Sequence, residues 1–177
     1  MDFVQLAQSL SPVWEFEGIP LPRQVIERCL AAAHAAPSSP GDPPWRFIIL
    51  LNPERRAACA AALEAVSAQA GLPAASACRQ APALIAAAMV APTDPSDGAA
   101  AGRMVAAALQ NFLLCAWDEG AGALALAGDR WDSDAIRSAC GLASGEQLCA
   151  LVALGYPAAV PPRRPRVALA DVSRWYE

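Results

Sequence analysis

Residues 99–118 form a long apolar segment whose side chains would cover most of a helix's circumference. A helix that is apolar all round has to be buried nearly all round. That requirement constrains the fold more than any other stretch of this chain. Arg103 and the pair Gln110-Asn111 interrupt the apolar run, so it reads as a buried helix rather than a membrane span. One small domain has difficulty surrounding about five turns completely. Burial in a homodimer interface is the simpler expectation, with a central helix inside one chain as the alternative.

The rest of the chain has to supply that burial. Its 177 residues suffice for one domain with a full core. Hydrophobic residues make up 55%, with alanine carrying most of the excess, so closely packed helices are expected. All 13 cations are arginine, and the net charge is −4. The acidic balance argues against nucleic acid as a partner. Cysteines at 29, 59, 78, 115, 140 and 149 form no C-x-x-C pair and read as reduced core thiols. The single histidine, His34, argues against a metal site or a proton relay built on several histidines. Met1-Asp2-Phe3-Val4-Gln5 lacks the basic-then-apolar order of a signal peptide. A cytoplasmic protein without membrane attachment is therefore expected.

Helical and strand signals alternate along the chain, giving an α+β class. A short helix is expected at 2–9, with Phe3, Val4, Leu6 and Ala7 on one side. Leu21-Pro22 opens a second helix of about four turns, carrying Val25, Ile26, Cys29, Leu30 and Ala33 at helical spacing. Asn52-Pro53 caps a third, which runs to about Ala70 and breaks at Gly71. Trp131-Asp132-Ser133-Asp134 caps a short helix ending near Cys140. Strands are expected at 46–51, 82–90, 123–127 and 148–155, and a further one at 167–175. Residues 157–177 read as an extended C-terminal tail of the same single domain, punctuated by Pro157, Pro161, Pro162 and Pro165.

The densest cluster of turn formers lies between the second helix and the first strand, from Pro37 to Pro44. A loop of this kind beside a buried strand is a ligand cradle in waiting. Ala36-Pro37-Ser38-Ser39 and Pro44-Trp45-Arg46-Phe47 resemble the flavin loop of the nitroreductase family of FMN enzymes. Other segments resemble the same family in order and spacing. They are Phe16 to Ile26, Ala81-Pro82-Ala83-Leu84-Ile85, Gln110-Asn111-Phe112-Leu113-Leu114, Gly120-Ala121-Gly122 with Ala127-Gly128, Leu154-Gly155-Tyr156-Pro157, and the basic tail from Arg163 to Leu169. The resemblance implies a three-layer α/β/α homodimer around a mostly antiparallel sheet. It also implies FMN as cofactor, NADH or NADPH as electron donor, and a small-molecule nitro, quinone or enone acceptor. Carried over position by position, it assigns cofactor contacts to Pro37, Ser38, Ser39, Gly41, Trp45, Gly128, Arg164 and Arg166. It assigns no catalytic side chain and no metal.

The departures from the family pattern are equally specific. Leu10-Ser11-Pro12-Val13-Trp14 stands where the family has Arg-Arg-Ser-x-Arg. Gly41 and Pro43 stand where its Asn and Gln reach the ring edge, and Pro43 lacks even an N–H. A phosphate deprived of two arginines loses on the order of 3–6 kcal/mol unless something replaces them. The alternative to an FMN oxidoreductase is therefore a family scaffold that binds flavin weakly or not at all, with a sequestering or regulatory role. Trp14 either fills the phosphate pocket or packs against the second helix.

Overall fold

The computed structural model describes residues 2–38, 43–92, 94–162 and 165–176. At its centre is the apolar run Ala83–Val90, whose first seven residues are buried, as an inner strand flanked on both sides requires. In chain order the elements are α1 (Phe3–Ser9), α2 (Arg23–His34), β1 (Trp45–Leu50), α3 (Pro53–Ala70), α4 (Ala74–Gln80), β2 (Ala83–Val90), α5 (Gly98–Asp118), β3 (Gly122–Ala127), α6 (Asp134–Cys140) and β4 (Glu146–Gly155). The four strands make one sheet in the order β1-β2-β4-β3, every neighbour antiparallel. Trp45 pairs with Met89, Ala83 with Leu154, and Ala127 with Ala150.

Alternation along the strands divides the core in two. On one face Trp45, Ile85, Ala87 and Val152 pack with Ile26 and Cys29 of α2 and with Val105, Ala108 and Phe112 of α5. On the other, Leu50, Leu84 and Leu151 pack with Cys59 and Leu63 of α3, Cys78 of α4 and Ile136 of α6. The result is the expected three-layer α/β/α arrangement around an antiparallel sheet. Local chemistry sets the helix ends. The Asn52 side chain accepts from the N–H groups of Glu54 and Arg55 at 2.8 and 3.1 Å, and Gly71 closes α3 at φ +62°. Ser133 caps α6 by accepting from Ile136 N–H at 3.3 Å.

Three features correct or extend the sequence reading. Residues 167–175 form no strand. They carry a single 3-10 turn at Leu169–Asp171, and Val172 N–H donates back to Leu169 at 3.1 Å. A strand needs a neighbour's backbone, and among the described residues none pairs with this segment; Leu169 and Trp175 are 81% and 87% exposed. Second, α4 is a helix that sequence patterning leaves unassigned. Third, α5 is not buried all round by its own chain. It packs its inner face on α2 and the sheet, while Arg103, Ala106 and Gln110 face outward.

Gly155 ends β4 in a close approach. A Cβ there would lie 2.5 Å from Pro82 Cδ and 3.0 Å from Phe16 Cδ1. Phe16 bridges to Pro157 in the same corner. Gly155→Ala is expected to cost about 1–3 kcal/mol by overpacking, lowering the thermal midpoint by roughly 2–12 °C. A midpoint unchanged in a thermal melt would show that Phe16 and Pro82 move aside freely.

Candidate functional site

The loop after α2 enters the site through helix packing. Asn111 of α5 donates from Nδ2 to the Ala32 carbonyl at 3.2 Å, fixing the end of α2 against α5. Pro37 and Ser38 then lie over the first half of α5. With Ala100, Arg103, Met104 and Ala107 they line a cavity of about 430 Å³. On the far side of the loop, Arg46 Nη1 donates to the carbonyls of Pro43 at 3.3 Å and Trp45 at 2.9 Å. Trp45 is a core residue: it is buried and meets His34 edge-on, ring centroids 6.2 Å apart. Ser39 and Gly41 lie outside the described residues.

A second cavity, of about 200 Å³, is lined by Leu10, Ser11 and Pro12, by Leu113 of α5, by Ala123 and Ala125 of β3, and by Arg166. Several contacts seat the 10–14 segment there. Val13 N–H donates to the Ala123 carbonyl at 2.9 Å. Gly122 makes room for it, since a Cβ at that position would sit 2.4 Å from Val13 Cγ2. Trp117 Nε1 donates to Ser9 Oγ at 2.9 Å, tying the segment to α5. Arg166 thus reaches the walls formed by Leu10, where the family resemblance placed an arginine, and Pro12, where it placed a serine. Trp14 does not line this cavity; it packs half-buried, against the α3–α4–α6 core rather than against the second helix. Arg164 lies outside the described residues. Gly128 follows β3 at φ +106° and borders neither cavity; its carbonyl accepts from Trp131 N–H at 3.0 Å.

The expected cofactor residues therefore fall into two groups. Pro37, Ser38 and Trp45 gather near β1, and Arg166 and Gly128 near β3. These are the two opposite edges of the sheet. Both cavities border α5, one along Ala100–Ala107 and the other at Leu113. Sequence reasoning missed Arg103 as a lining residue, although its charge in an apolar helix is a signal. Neither Arg103 nor Arg166 has an ion-pair or hydrogen-bond partner among the described residues.

The donor set fits a phosphate at reduced strength. The second cavity supplies one guanidinium, from Arg166, and the buried Ser11, whose hydroxyl reaches the Ser9 carbonyl at 3.4 Å. The walls of Leu113, Ala123 and Ala125 suit a flat apolar body beside that anion.

The sequence matches the model of the nitroreductase family over residues 15–156. No curated protein matches it. Among solved structures, a nitroreductase-like family protein from Bacillus cereus superposes with a TM-score of 0.84 at 20% identity, over 100% of this chain and 97% of that one. The NADPH:FMN oxidoreductase from Vibrio harveyi, in complex with NAD+, gives 0.82 at 16% identity, over 98% of this chain and 76% of that one. An FMN-dependent nitroreductase from Clostridium difficile R20291 gives 0.75 at 16% identity, over 92% of each chain.

Proposed function

Because the chain belongs to the nitroreductase family, we propose that it is an FMN-dependent oxidoreductase. Its electron donor is NADH or NADPH, and its acceptor a small nitro, quinone or enone compound. FMN, when bound, supplies the hydride and electron chemistry; the protein supplies binding and orientation. The observation that carries this reading is Arg166 at the Leu10–Pro12 cavity, a cation returned by the tail to a place emptied of arginine. Arg166 and Ser11 hold the phosphate, and Leu113, Ala123 and Ala125 seat the apolar body. Pro37 and Ser38 border the approach to the ring.

The working form is a homodimer. Two observations support it. The outward face of α5 carries Arg103, Ala106 and Gln110 on an otherwise apolar helix. Val167, Leu169, Val172, Trp175 and Tyr176 are all exposed in the tail, a density of apolar surface that a single copy leaves in water. A second copy also gives the two separated groups of cofactor residues a route to one site. A stable dimer of this kind buries more than about 2,000 Å².

The loss of arginine at positions 10 and 14 favours a second reading, a family scaffold with weak or absent flavin. Size-exclusion chromatography with light scattering and visible absorbance separates the two. The oxidoreductase reading expects a dimer mass with flavin bands that co-elute and bleach with NADH or NADPH under argon. Protein that stays colourless after incubation with excess FMN supports the scaffold reading. A monomer mass at low micromolar concentration overturns the assembly.

A further inference from the structure

Opposite the candidate site, behind the sheet, lie thiols for which flavin chemistry has no use. Cys59 of α3 and Cys140, the last residue of α6, are 81 positions apart in sequence and both fully buried. Their sulfur atoms lie 3.8 Å apart, in direct contact. Cys78 of α4 belongs to the same core cluster. Arg55, one turn before Cys59 on α3, extends to the end of α6: a Cβ on Gly141 would meet its Nη1 at 3.2 Å. One thiol therefore has an S–H neighbour and a guanidinium close by, in an otherwise apolar setting.

We propose that Cys59 and Cys140 are a dithiol that hydrogen peroxide closes to a disulfide, cross-linking α3 to α6. Cys59 is the sulfur that reacts first. The hydrogen bond from Cys140 and the nearby Arg55 hold its pKa below the usual thiol value, whereas Cys140 is raised by the same pairing and by burial. Burial pushes Cys78 up to about 12, which leaves it as a protonated bystander.

The chemistry balances in two steps. The Cys59 thiolate attacks one peroxide oxygen. An S–O bond forms and the O–O bond breaks. The departing hydroxide takes up the proton that Cys59 gave up and leaves as water. The Cys140 sulfur then attacks the sulfenic sulfur of Cys59. The S–S bond forms, the S–O bond breaks, and the second hydroxide leaves as water with the proton of Cys140. Two electrons pass from the two sulfurs to the peroxide, which ends as two waters.

Contact geometry makes the second step fast relative to further oxidation. A buried sulfenic acid meets Cys140 before it meets a second peroxide. Peroxide is small and neutral, and the first access it needs is an opening of α6, a seven-residue helix. The bond encloses α4, β2, α5 and β3 in one loop, so it resists unfolding of the two strands β2 and β3 and of the helix between them.

The test uses the native full-length protein treated with hydrogen peroxide and mapped without reduction. The expected result is a loss of two hydrogens per chain and a linked Cys59–Cys140 peptide, both reversed by dithiothreitol. The thermal midpoint of the oxidised form should rise by roughly 5–10 °C. Cys140→Ala should stop at the first step, with Cys59 trapped as a sulfenic acid by dimedone. If that variant fails to fold, the wild-type map still decides. Three results overturn the proposal: no cross-link at peroxide levels that oxidise the methionines, a cross-link through Cys78 instead, or a Cys59–Cys140 link that forms only in denaturant.

Discussion

Alanine at Phe112 is expected to destabilise the protein by about 3–5 kcal/mol, the range for removing a buried aromatic ring without full collapse of the space. Phe112 is fully buried on the inner face of α5. Its ring lies nearly parallel to Phe47 of β1, interplanar angle 15° and centroids 6.1 Å apart. It therefore joins the longest helix to an edge strand. Much of the same core cluster is alanine, Ala83, Ala87, Ala108 and Ala116 among it, and alanine has no reach to fill the gap. For a chain of this length the thermal midpoint should fall by roughly 6–20 °C. Phe112→Leu retains most of the volume and should cost under about 2 kcal/mol. Urea or thermal unfolding of the pair measures both. Equal losses in the two variants would mean that the ring stack, rather than cavity formation, sets the energy. The same substitution should loosen ligand binding, because α5 forms a wall of both cavities.

The layers were legible because the strands and long helices carry their own signals. The run at 83–90 has the unbroken apolar character of an inner strand. Asn52-Pro53 and Gly71 bracket α3 by capping chemistry alone. α4 was not legible. Ala74–Gln80 is too short to display a period, and its order comes from packing of Ala74, Ala77 and Cys78 and from Ser67 Oγ accepting the Ala75 N–H at 3.1 Å. The segment 167–175 misled in the opposite sense. Val167, Leu169 and Val172 give it β character, yet β structure is a property of pairs of segments. Residue types named the candidate site, but not its division. Nothing in the order Pro37, Ser38, Gly128, Arg166 says that β1 and β3 occupy opposite edges of the sheet; the crossovers β2 to α5 to β3 and α6 to β4 decide that. Arg103 was visible as an anomaly and acquired a place only once α5 had a neighbour at Pro37 and Ser38.

Arg166→Ala is expected to weaken FMN binding by roughly 10- to 150-fold, the equivalent of 1.5–3 kcal/mol for a hydrogen bond to a charged group. Arg166 is the cation among the residues that line the β3-side cavity, and Leu10, Pro12 and Leu113 there offer a phosphate nothing. The converse substitution tests the same geometry from the other wall. Leu10→Arg places a second guanidinium opposite the first, and a phosphate between two guanidiniums is held by both. Titration by flavin fluorescence quenching should show tighter binding by about tenfold or more. Both effects should shrink as salt is raised, because the cavity opens to solvent and Arg166 is exposed. The two substitutions together carry the discrimination. If Arg166→Ala leaves affinity unchanged while Leu10→Arg improves it, the cavity takes the phosphate and the tail does not hold it. If neither moves affinity in a folded protein, the phosphate is bound elsewhere, and the replacement of arginine by Leu10 marks a cavity that flavin no longer uses.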